Sequence, residues 1–276
     1  PSNVNTELNH LIGPDTRIVV LGGTASVNAT IFNLLTAKAP LVAGVHDITR
    51  LWDADRYGTA VKISLDTYPS SPASGAVFLA SGLAFPDALS AAAAAAHLGA
   101  PLLLVPGTQA NLSAVPEVTD ELTRLAPTTV YIAGGTASVS SGIEAAVHGM
   151  FPTAAIVRFA GANRYETATK IADHFFQSPA VPPFAATPVH TVYVASGLNF
   201  PDALAGAALA GSQGAPLLLV PGTSPNLDGV VVAGHKVIVE EFGSTRLFPN
   251  RVIIFGGSGA ISTGIETELV GFPKSS

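Results

Sequence analysis

Two stretches of the chain carry the same polar residues in the same order. ASGLAFPDALSAAAAA from Ala80 and ASGLNFPDALAGAALA from Ala195 each place a serine, Ser81 or Ser196, just ahead of an aspartate, Asp87 or Asp202, at the start of an alanine-rich run. A carboxylate there can accept the unpaired N–H groups of a helix N-terminus, or serve as an acid, base or ligand group. Pro86 and Pro201 suit a first helical turn, where no backbone donor is needed. Capping alone explains both aspartates. The serines lie where a strand ends, which is where open α/β sheets place ligands, so Ser81, Ser196, Asp87 and Asp202 are all candidate ligand-binding residues.

A second repeated motif supplies cations. Asp55-Arg56-Tyr57 and Asn163-Arg164-Tyr165 each put an arginine at the start of a helix, a position the helix dipole disfavours. A carboxylate partner would compensate, and the preferred pairs are Arg56 with Asp87 and Arg164 with Asp202. Whether such pairs form within a module or between modules is open, and an arginine awaiting an anionic ligand is the other reading. A third motif, glycine pairs at Gly22, at Gly134 and Gly135, and at Gly256 and Gly257, stands between a strand and a helix. Backbone N–H groups in such turns can hold an anion. None has the spacing of a nucleotide-binding loop, so close packing of strand on helix is the plainer reason for the glycines.

Catalysis has little support. The seven histidines do not recur at equivalent places, so no base accompanies the repeated serines. The patterns of zinc hydrolases and serine esterases are missing, and each module offers one such carboxylate where glycoside cleavage takes two. The expectation is a non-enzyme with no metal and no cofactor.

These residues must be positioned by repeated elements. Residues 80–108 and 195–223 differ at seven of 29 positions, WDADRYGTAVKI from Trp52 parallels AGANRYETATKI from Ala160, and VYIAGGTASVSSGIE from Val130 parallels VIIFGGSGAISTGIE from Val252. A third copy of the last piece, IVVLGGTASVNATI, begins at Ile18. The chain is thus expected to hold a partial module over 1–45, a first complete module over 46–154 and a second over 155–276. Each reads as helix, apolar strand, alanine helix and apolar strand, followed by a variable segment, a further strand and a short helix. Continuous apolar strands separated by helices imply tandem α/β modules, each with an open, mainly parallel sheet covered by helices on both faces. Pro72–Gly75 and SPAVPPFAATP from Ser178 read as loops.

Composition sets outer limits. Thirteen basic against nineteen acidic residues give a net charge of −6, which argues against a general grip on nucleic acid. Cysteine is absent, excluding disulfides and thiolate sites. The apolar run from Ala88 to Val105 is cut by His97 and by Gly99-Ala100-Pro101, so a buried helix and strand are expected and not a membrane span. The opening PSNVNTEL shows no signal-peptide pattern.

RYETA at Arg164, ASGLNFPDALAGAALA at Ala195, GAPLLLVPG at Gly214 and FGGSGAISTGIE at Phe255 together resemble the cell wall binding repeat 2 family, over nearly the whole chain. The resemblance implies an extracellular anchor of a Gram-positive-type bacterium, at the cell wall or cell surface, that binds an anionic wall polysaccharide noncovalently. It also implies three modules in a pseudo-threefold body, with neighbouring modules of the same chain, or a homo-oligomer, as partners. This chain departs from that pattern: its leading module lacks the RY and FPDA parts, and Trp52-Asp53 stand where the second copy has Ala160-Gly161. The alternatives are a structural or protein-interaction module without a glycan site and, more remotely, a wall hydrolase using Asp87 and Asp202. In the binding reading Arg56, Arg164 and Arg158 supply the local donors that a negative chain otherwise lacks.

Overall fold

The computed structural model of the protein describes residues 2–176, 191–227, 231–232, 235–236, 249 and 251–271. It divides into two compact units, Pro1–Thr67 and Tyr68–Ser276. The loop expected from Ser178 lies outside the described residues.

In the first unit, α1 (Ser2–Leu11) precedes β1 (Ile18–Leu21), α2 (Ala29–Thr36), a hairpin of β2 (Leu41–Val42) and β3 (Val45–His46), then β4 (Ile48–Leu51) and α3 (Arg56–Thr67). β1 and β4 pair in parallel, Ile18 beside Ile48 and Leu21 beside Leu51. Asn28 caps α2 by accepting from the Ile31 N–H at 2.9 Å, and Asp55 caps α3 by accepting from the Tyr57 and Gly58 N–H groups.

The second unit runs β5 (Ala76–Ser81), α4 (Pro86–Leu98), β6 (Leu102–Val105), α5 (Pro116–Leu125), β7 (Thr129–Ala133), α6 (Ser141–Met150), β8 (Ala155–Phe159) and α7 (Arg164–Phe176). It continues with β9 (Thr191–Ser196), α8 (Pro201–Ser212), β10 (Leu217–Val220), the hairpin strands β11 (Val231–Val232) and β12 (His235–Lys236), β13 (Arg251–Phe255) and α9 (Thr263–Gly271). Two parallel sheets result, ordered β6-β5-β7-β8 and β10-β9-β13. The architecture is the expected one, α/β with parallel sheets flanked by helices. The central strand β5 is buried at all six residues because it is covered on both faces, which is why it lacks alternation.

Local chemistry explains most boundaries. α4 opens on Pro86 and stops at Gly99, whose left-handed φ of 63° lets its N–H cap the carbonyls of Ala95 and Ala96. Ser140 and Ser262 cap α6 and α9 through the Ile143 and Ile265 N–H groups. One element goes beyond the sequence reading: the variable segment of the first complete module folds as α5, with Pro116 in its first turn and Val118, Leu122 and Leu125 buried.

The helices bring the modules together. α4 packs against both α8 and α7. Gly211 of α8 sits on α4, where a Cβ would come within 3.1 Å of the Ala93 carbonyl oxygen, so only a bare Cα permits this approach. α7 spans the junction, with Phe175 against Phe78, Tyr131 and Phe159 of the first sheet while α7 also contacts β10 of the second. Equivalent residues of the two alanine helices consequently differ in exposure. Leu89 is 4% exposed, whereas its counterpart Leu204 is 59% exposed.

Candidate binding site at the module junction

Both aspartates lie over the glycine turns that follow β7 and β13. A Cβ on Gly134 would come 2.6 Å from Asp87 Oδ2, and one on Gly256 would come 2.7 Å from Asp202 Oδ2. Both glycines are left-handed, with φ of 109° and 108°, so the turn needs glycine for its backbone as well as for the carboxylate above it. The geometry recurs, but the surroundings do not.

Asp87 is 9% exposed. Burial holds its carboxyl above the usual carboxylate range, opposed by hydrogen bonding to Ser138, the Arg164 charge and hydrogen bonding to Thr167. Two of these three neighbours sit on α7, in the RYET segment of the following module. Asp202 is exposed, and Ala260 stands where the first module has Ser138. The structure therefore corrects the expected pair of Arg164 with Asp202: Arg164 lends its charge to Asp87 of the preceding module and donates from Nη1 to the Gly197 carbonyl at 2.5 Å. Among the described residues Asp202 makes no ion pair. Arg56 belongs to the first unit and Asp87 to the second, and each unit stands by itself here.

Ser81 and Ser196 are 3% and 2% exposed. Their hydroxyl oxygens accept from the Leu83 and Leu198 N–H groups at 3.2 and 3.3 Å, closing the turn into each alanine helix. They hold the strand ends in place and present no hydroxyl at the surface. The amides expected to hold an anion are also spent in part. Gly134 N–H donates to the Phe159 carbonyl, and the Ser138 and Val139 N–H groups fold back onto Gly135 O. The Ala260 and Ile261 N–H groups do the same onto Gly257 O.

Arg158 is a strut. Its guanidinium donates to the carbonyls of Gly134 and Val139, each at 2.8 Å, and pairs with Glu144 at 2.8 Å. Arg50 repeats this in the first unit, donating to the Gly22 carbonyl at 2.7 Å and lying over the Phe32 ring. A lone arginine inside an apolar strand, at Arg50 and again at Arg158, was the available signal for this clamp.

The two RY turns are built alike. Asp55 and Asn163 are the helix caps, and Thr59 and Thr167 each accept an N–H from the residue six before and donate to the cap carbonyl. A carboxylate reaches the same place by different routes. In the second turn Glu166 accepts from the Ala162 N–H at 2.6 Å and pairs with Lys170 at 3.0 Å. In the first, Asp53 accepts from the Ala54 N–H at 2.7 Å and faces Lys62 at 3.8 Å. Glycine makes the room each time: a Cβ on Gly58 would fall 2.7 Å from Asp53 Cβ, and one on Gly161 would fall 2.6 Å from Glu166 Cβ.

Among the described residues no group of histidines, aspartates and glutamates could hold a metal, and no helix is long and apolar enough to cross a membrane. What the junction offers is a half-buried arginine, a buried carboxylate and two module surfaces locked by side-chain contacts.

Comparisons with known proteins agree with this repeated architecture. The chain is 26% identical over 252 residues to the N-acetylmuramoyl-L-alanine amidase LytC of Bacillus subtilis (strain 168), an alignment that covers 91% of this chain and 42% of that protein. Among solved structures, Cwp8 from Clostridium difficile superposes with a TM-score of 0.73 over 96% of this chain and 40% of its own, at 24% identity. Cwp6 from Clostridium difficile superposes with a TM-score of 0.64 over 80% of this chain and 31% of its own, also at 24% identity. The chain spans less than half the length of these relatives. The model of Cell wall binding domain 2 (CWB2) matches it twice, over residues 50–144 and 158–266, so the chain belongs to the CWB2 family of cell wall binding domains, whose place is the cell wall or cell surface.

Proposed function

We propose that the chain attaches a surface protein noncovalently to the bacterial cell wall by binding an anionic wall polysaccharide, and that it works as a binding module without catalysis of its own. The observation that carries this reading is the tandem CWB2 match over both complete modules. The absence of any recurring base beside Ser81 or Ser196, together with the burial of both hydroxyls, supports the non-catalytic part. The amidase activity in LytC's name is said of that protein, of which the chain covers 42%. Because the net charge is −6, affinity rests on local donors such as Arg56 and Arg164.

A second reading, a protein-interaction module, is favoured by one feature. Leu204 and Leu209 of the second module are exposed while their counterparts Leu89 and Ala94 on α4 are buried. Co-sedimentation with purified cell walls separates the two. Salt-sensitive pelleting that vanishes once the anionic polymer is chemically stripped supports the anchor. Pelleting unchanged by stripping, or none at all, supports the interaction module. Release of amino groups or reducing sugar from walls, abolished by Asp202→Asn, would overturn the non-catalytic reading.

A further inference from the structure

The exchange of Asp53 and Gly58 for Gly161 and Glu166 accounts for half of the difference between the two RY turns. It leaves Trp52. The second turn closes the same way with Ala160 in that place, so folding of the turn does not require an indole. Trp52 is nevertheless 52% exposed. A Cβ on Gly23 would fall 3.1 Å from indole Cε3, so the ring lies against the bare backbone of the glycine turn.

The backbone around it is tied down on every side. Gly22 N–H donates to the Leu51 carbonyl at 2.9 Å, Asp53 N–H to Thr59 Oγ1 at 3.1 Å, and Ala54 N–H to Asp53 Oδ1 at 2.7 Å. The indole is thus backed by peptide at Gly23 while about half of the residue stays exposed. Trp52 directly follows β4, which pairs in parallel with β1, and the next residue, Asp53, faces Lys62 of α3 at 3.8 Å. An isolated exposed apolar residue is ordinary on a protein surface. An exposed aromatic side chain already seated on fixed backbone is a recognition arrangement, because little ordering entropy remains to be lost on binding.

We propose that Trp52 is a stacking platform for a sugar ring of the wall polysaccharide. This rests on the anchor reading above. The face of an aromatic ring carries negative potential, which attracts the weakly positive C–H groups on the apolar side of a pyranose. A hydroxyl of the bound glycan then donates to the carboxylate of Asp53, the next residue. Asp55, which caps α3, is spent on the Tyr57 and Gly58 N–H groups and takes no part.

The chain has one tryptophan, so its emission reports this place alone. The probe is polysaccharide released from purified walls by mild acid, titrated into the protein while pelleting with whole walls is measured in parallel. The expected result is a saturable change in emission, with Trp52→Ala weakening binding about five- to tenfold, equally at low and high salt, and Trp52→Phe retaining most of the affinity. Unchanged melting temperatures show that the variants are folded. Salt-sensitive wall binding with unmoved emission and an unaffected Trp52→Ala overturns the platform and leaves the anchor standing. No wall binding by the parent protein removes both. Emission that shifts with protein concentration alone, without polysaccharide, assigns the indole to a protein contact and overturns the platform as well.

Discussion

Asp87 and Asp202 occupy equivalent places in one chain, so each serves as the control for the other. Replacing Asp87 with alanine removes a carboxylate that is 9% exposed, is favoured in its charged form by Ser138 and Thr167, and lies within the field of the half-buried Arg164. A hydrogen bond involving a charged group contributes roughly 1.5 to 3 kcal/mol and a neutral one about 1 kcal/mol. Burial of the carboxylate, which raises its pKa, works in the opposite direction and offsets part of this. The net cost of Asp87→Ala is therefore about 1 to 3 kcal/mol, a fall of roughly 3 to 9 °C in melting temperature for a unit of this size. Asp202→Ala, at an exposed carboxylate with Ala260 in place of the serine, should change stability by less than about 0.5 kcal/mol. Circular dichroism melts and urea titrations of both variants measure this directly. Equal effects at the two sites would refute the argument that α7 of the following module turns one copy of the motif into a latch.

The same comparison applies to packing. Leu89→Ala should cost about 2 to 4 kcal/mol in urea titrations because it opens a hole between α4 and its neighbours, whereas Leu204→Ala, at 59% exposure, should cost well under 1 kcal/mol. Gly134→Ala should cost roughly 2 to 4 kcal/mol from its φ of 109° and the collision with Asp87 Oδ2 and Ser138 Cβ, while Gly135→Ala, whose nearest neighbour would be 3.9 Å away, should be near neutral in the same assay. Burial lowers the pKa of His97, whose ring packs at a tilt against Phe176, and of His174. A folded pKa below the ordinary value of 6.5 means that the unfolded chain binds protons first. Their stabilising contribution is therefore present above pH 6.5 and lost as pH falls through the lower folded values, and His97→Leu should flatten part of the melting-temperature profile over that range. Asp87 acts with a different sign. Its raised pKa makes its contribution greatest below the ordinary carboxylate value of 3.8, and that contribution declines as pH rises from there through the folded value.

Much of the local structure was legible because it depends on near neighbours. Pro86 and Pro201 marked helix starts, Gly99 a helix end, and the runs VFLA and LLLV buried parallel strands, since capping, dihedral freedom and strand burial act over a few residues. α5 has a sign of its own too: Val118, Leu122 and Leu125 behind Pro116 recur at helical spacing, among charged residues of a segment that varies between copies. The clamp by Arg50 and Arg158 had its own sign, a charge repeated within an apolar strand.

Repetition established that there are two equivalent aspartates and two equivalent arginines, and it could go no further, because copies of a motif are identical in sequence whichever copy they face. Tertiary structure decided the pairing. α7 leaves the first sheet and packs on the second, which carries Thr167 and Arg164 onto Asp87 of the module before, while Asp202 stays at the surface. Burial is a property of what the whole chain brings against a residue, so two identical FPDA turns acquired different electrostatics, and only the folded arrangement of α4, α7 and α8 could tell them apart.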